Sequence, residues 1–119
     1  MINSENLTFR LYLEKDMVFD SAPESGISAD GVKAIFKDKA GKMYFALPQQ
    51  LASMVEAATF YLSSNDVDQE KLSQCLRLLS AASVVIDRLG KDPTAKTMRH
   101  RADDLAQKGN EILQRSYKK

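Results

Sequence analysis

The sequence predicts an α+β fold, with an N-terminal antiparallel sheet of three or four strands packed on a C-terminal bundle of three helices. Two observations carry this. Apolar residues recur with a period of two before Pro48 and with helical spacing after it. Proline, glycine and aspartate stand where helices commonly begin and end. The chain of 119 residues has the size of one domain, 1–119, with residues 1–47 as the β-rich part and 48–119 as the three helices.

Residues 7 to 14 alternate Leu7, Phe9, Leu11 and Leu13 against Thr8, Arg10, Tyr12 and Glu14, the pattern of a strand with one covered face. A reversal at Glu14-Lys15-Asp16 returns the chain through Met17-Val18-Phe19 as a short second strand. Residues 21 to 31, with a proline, two glycines and three serines, read as a loop. Residues 32 to 37 and 42 to 47 then form a hairpin, with Gly41 supplying a positive φ in its turn. A helix over residues 29 to 40, capped by Ser28 and stopped by Gly41, is the competing reading, because Val32, Ile35 and Phe36 also fit helical spacing.

Pro48 suits the first position of a helix, and Leu51, Met54, Val55, Ala58, Tyr61 and Leu62 line one face of it. The second helix is expected between a capping pair, Asp66 with Gln69, and Gly90. Its apolar residues, Leu72 to Leu89 among them, exceed one stripe, so it is expected innermost. Asp92-Pro93 opens the third, whose thinner stripe holds Ala95, Met98, Ala102, Leu105, Ile112 and Leu113. Gly109 inside that stripe implies either a close approach by another backbone or a weak point near a frayed end.

Composition narrows the function classes. Seventeen basic and sixteen acidic residues leave a formal charge of +1, so no global field draws the chain to nucleic acid or membrane. The single cysteine, Cys75, excludes an internal disulfide and fits a reducing compartment. Residues 1 to 10 lack the basic start and apolar run of a secretory signal, and the apolar stretch 81–86 falls far short of the ~20 residues of a membrane span. A cytoplasmic location without membrane association is expected. The sequon Asn6-Leu7-Thr8 is then a coincidence.

No catalytic constellation is visible, and the expectation is a chain that is not an enzyme. The lone His100 lies in a charged helix, where Asp104 is its neighbour at i+4. One histidine and one cysteine do not make a zinc site, so no metal is expected, and five scattered glycines form no phosphate loop, so no cofactor is expected. Asp103 and Asp104 diverge by about 100° around a helix and are no convergent acid pair.

Two surfaces remain. With Leu7, Phe9, Leu11 and Leu13 covered and Phe36 inward beside Met43 and Phe45, alternation turns Arg10, Tyr12, Lys33, Ile35, Lys37 and Tyr44 outward, a basic and aromatic face suited to a protein partner or to stacked bases. The second surface is the last helix. Residues 91 to 119 hold eight basic and four acidic residues, a net of +4, against −3 for residues 1 to 90. Lys96, Arg99, Arg101, Lys108 and Arg115 are its candidate phosphate contacts, and its narrow apolar stripe suits a homodimer. The expected function is a non-catalytic protein-interaction module, a small regulator, inhibitor or adaptor. The alternative is nucleic-acid binding through the basic helix.

Overall fold

The computed structural model describes residues 7–20, 32–64 and 67–117. In chain order these form α1 (Phe9–Glu14), β1 (Val18–Phe19), β2 (Ala34–Lys37), β3 (Met43–Ala46), α2 (Pro48–Ser64), α3 (Gln69–Leu89) and α4 (Pro93–Tyr117). The expected antiparallel sheet followed by three helices is present, the sheet having three strands in the order β1-β2-β3.

One expected element is corrected. Residues 9 to 14 are a helix and not a strand. Thr8 caps it, its side chain accepting from the Leu11 N–H at 3.2 Å. Its end is tied by two reversed bonds, Met17 N–H to the Tyr12 carbonyl (3.1 Å) and Asp16 N–H to the Leu13 carbonyl (3.3 Å). Asp16 takes φ 49° there, the left-handed conformation that this closure requires. The alternating pattern misled because Tyr12 belongs with the apolar side chains: it is wholly buried, while Arg10 and Glu14, four residues apart, share the exposed side.

The hairpin reading of residues 32–47 holds over the helical one. Asp38 organises its turn: Oδ1 accepts from the N–H groups of Ala40 (3.0 Å) and Lys42 (2.9 Å), and Oδ2 from the Tyr44 hydroxyl (3.1 Å). Gly41 sits at φ 88°, as the turn needs. β1 lies beside β2, with Phe19 opposite Phe36, and β2 beside β3, with Ile35 opposite Phe45 and Phe36 opposite Tyr44.

The helices start and stop largely where their punctuation predicts. Pro48 opens α2 and Pro93 opens α4, each at the position where its missing N–H leaves no bond unmade. The Asp92 carboxylate accepts from the Thr94 N–H at 2.8 Å. For α3 the cap is Asp68, accepting from Lys71 N–H at 2.7 Å, and not the pair that begins at Asp66, a residue outside the described set. Gly90 closes α3 at φ 63°.

The core joins all layers. Leu51, Val55 and Ala58 of α2, Cys75, Leu78 and Val85 of α3, and Met98 and Leu105 of α4 are buried together. Tyr12, Ala34, Phe36, Tyr44 and Ala46 extend the same cluster under the sheet. Tyr12 meets Phe36 edge-on, ring centroids 5.4 Å apart, and Phe36 meets Phe19 in the same manner at 5.9 Å. Gly109 is also explained. A methyl group there would stand 2.5 Å from Leu76 Cδ2, so a side chain, and not another backbone, makes the close approach.

Candidate interaction surface

Strand alternation decides which hairpin side chains meet solvent. In β2, Ala34 and Phe36 are buried whereas Ile35 is half-buried and Lys37 exposed; in β3, Tyr44 and Ala46 are buried whereas Met43 and Phe45 are half-buried. The inner residues pack on the helices. Among the described residues, Ile35, Met43 and Phe45 take no part in the core cluster, nor do they pack against it. They form an outer face with Lys33 and Lys37, and the Lys33 ammonium stands 4.7 Å from the centroid of the Phe45 ring.

The six sheet residues selected from sequence therefore divide. Lys33, Ile35 and Lys37 lie together on the outer face as expected. Tyr44 is turned the other way, buried against the inner face with its hydroxyl on Asp38. Tyr12 is fully buried, its hydroxyl donating to the Gln74 carbonyl at 2.9 Å. Arg10 is exposed, but on α1 and outside the sheet. The expectation that Tyr12 and Tyr44 face outward is thus corrected. In their place the outer face carries Phe45 and Met43. A register that opposes Phe36 to Tyr44 flips every β3 side chain relative to one that puts Met43 and Phe45 inward.

Helix α4 splits its cations into two groups. Arg101, Lys108 and Arg115 recur every seven residues and share a stripe, while Lys96 and Arg99 occupy another. Arg101 reaches Glu56 of α2 at 3.6 Å, and Lys108 reaches Glu111 at the same distance. Lys96, Arg99 and Arg115 are exposed. The apolar stripe expected to seat a second copy is used within the chain: Ala95, Met98 and Leu105 are buried with α2 and α3.

The remaining chemistry-bearing residues are placed as follows. Cys75 is buried on α3, and burial pushes its thiol up to about 12. Burial likewise raises the Tyr12 hydroxyl. His100 is exposed. Among the described residues no group of three His, Cys, Asp or Glu side chains could hold a metal ion. No described helix is long and apolar enough to cross a membrane.

A polar groove of about 400 Å³ lies between β1, the hairpin turn and α3, lined by Asp16, Lys39, Glu70, Ser73 and Arg77 among others. Asp16 and Lys39 are joined across it at 2.8 Å. This bond holds the Asp16 carboxyl below the ordinary carboxylate range. Phe60, on the outer side of α2 beside Glu56, Arg101 and Asp104, is 70% exposed and was not singled out by sequence, although it falls off the apolar stripe of its helix. No protein-family model, curated protein or solved structure shows a significant match to this chain.

Proposed function

We propose that this chain is a non-catalytic interaction module that acts in the cytoplasm by binding another protein through the outer face of its β2–β3 hairpin. One observation carries the reading. Ile35, Met43 and Phe45 lie side by side on a sheet face that takes no part in the core, bordered by Lys33 and Lys37. Apolar centres within a charged rim are how protein interfaces are built, with the aromatic residue as the anchor.

The alternative partner class, nucleic acid at α4, rests on Lys96, Arg99 and Arg115, which are exposed but divided between two stripes. One capture experiment separates the two. The full chain is immobilised and exposed to native lysate with and without nuclease, beside Ile35→Ala/Phe45→Ala and Lys96→Glu/Arg99→Glu variants. The sheet-face reading expects a nuclease-resistant protein lost at least tenfold with the first variant and retained with the second. The reverse pattern, with sensitivity to nuclease, assigns the function to α4.

A further inference from the structure

We propose that the partner binds by strand addition: an extended segment bearing carboxylates pairs with the free edge of β3 and becomes the fourth strand. This rests on the outer hairpin face being the interaction surface, and it names the mode and the chemistry of what binds there.

The backbone alternation fixes which groups are free. The Asp20 N–H donates to the Ile35 carbonyl at 2.8 Å, so the Ile35 peptide groups point to the β1 side. Ile35 is opposite Phe45 in the β2–β3 ladder, which makes this a non-bonded pair and turns the N–H and C=O of Phe45 away from β2. The Asp38 N–H bond to the Lys42 carbonyl, at 3.0 Å, sets the same alternation from the turn, so Met43 also points its N–H and C=O outward. Among the described residues, no hydrogen bond outside the ladder reaches either residue. The next outward N–H, of Leu47, is closed by Gln50 Oε1 at 2.8 Å. The open edge is therefore Met43 to Phe45.

An unpaired edge is ordinarily blunted by proline, a bulge or an inward charge. Residues 43 to 46 contain none of these. Strand addition would supply main-chain bonds to this edge, and side chains on the added strand would lie beside Phe45 and Met43. Charge selects the occupant. Lys33 and Lys37 form no ion pair among the described residues, and the nearby Asp38 carboxylate is tied into the turn. The Lys33 ammonium already leans over Phe45, toward the open side. A second copy of this chain would bring lysines to the same place, whereas an acidic segment brings carboxylates.

The test selects 12-residue peptides from a random displayed library on the full chain and reads binding of the synthesised peptides residue by residue. The expected peptides alternate acidic and apolar residues. They slow amide exchange at Met43 and Phe45 at least tenfold, and lose at least tenfold in affinity when alternate peptide nitrogens are methylated or when Lys33→Glu/Lys37→Glu is introduced. No selected peptide, or binding that leaves exchange at Met43 and Phe45 unchanged, overturns the proposal. In the latter case, sensitivity to Ile35→Ala/Phe45→Ala keeps the outer-face reading while strand addition fails, and indifference to that variant removes both. Sedimentation of the chain alone as a dimer, with Met43 and Phe45 already protected, assigns the edge to a second copy and also overturns it.

Discussion

Tyr12 and Gln74 hold one another by two reciprocal hydrogen bonds: the Tyr12 hydroxyl donates to the Gln74 carbonyl at 2.9 Å, and Gln74 Nε2 donates to the Tyr12 carbonyl at 2.8 Å. Both residues are buried, and 62 positions of sequence separate them. The pair fastens the six-residue α1 to α3, which such a short helix needs because it has little stability of its own.

Removing either bond should cost in different measure. The Gln74 carbonyl, within α3, keeps its helical partner when Tyr12→Phe deletes the hydroxyl, so that change is expected to cost ~1 kcal/mol. Gln74→Ala removes a buried donor and leaves a small void, for ~1–3 kcal/mol. The two should be non-additive, since each variant disturbs the seat of the other bond, and urea unfolding of the double-mutant cycle checks this.

Gly109→Ala sets helix propensity against space. Alanine is favoured by ~1 kcal/mol inside a helix, but its methyl group meets Leu76 Cδ2. Near-neutral stability is expected in the wild type, because the end of a leucine side chain can turn aside. In a Leu76→Ala background the same substitution should stabilise by ~1 kcal/mol relative to that background. Thermal unfolding of the four proteins decides it.

Cys75 makes stability fall in alkali. Its thiol is raised from 9.0 to about 12 by burial, so above pH 9 the unfolded chain releases a proton that the folded chain keeps. Its contribution is complete below pH 9 and is lost progressively as pH climbs toward 12. Between pH 9 and 11 the unfolding midpoint of wild type should therefore drop more steeply than that of Cys75→Ala. At pH 8, labelling of the native thiol should be slow and should accelerate on addition of urea.

The outer face and the buried tyrosines should separate cleanly. Phe45→Ala and Ile35→Ala are expected to leave the melting temperature within a few degrees of wild type, as substitutions outside a core do. Tyr44→Ala and Tyr12→Ala remove buried rings and should cost ~3–5 kcal/mol. Circular dichroism melts of the four variants give the comparison.

Much of this architecture is written locally. The change of period at Pro48, the Asp92-Pro93 start and the Gly90 stop each act within one turn of chain, so residues 48 to 117 could be read almost directly. The N-terminal error has a physical origin in length. Six residues make less than two helical turns, too few to tell a period of two from one of 3.6, and the tyrosine that breaks the tie looks polar until Gln74, far along the chain, satisfies its hydroxyl. The Thr8 cap and the i,i+4 spacing of Arg10 and Glu14 were the available signals. In the hairpin, Lys33, Ile35 and Lys37 take their face from the alternation of β2 itself, which the sequence carries. For Tyr44, Met43 and Phe45 the faces are the reverse of those expected, because register depends on how Asp38 organises the turn, which composition does not reveal.

The Gln50 side chain that closes the Leu47 N–H and the Asp38-bound turn at the opposite end confine the outward backbone edge of β3 to Met43 and Phe45. Amyloid stacking draws on segments of about six or seven residues, so an edge this short does not template it.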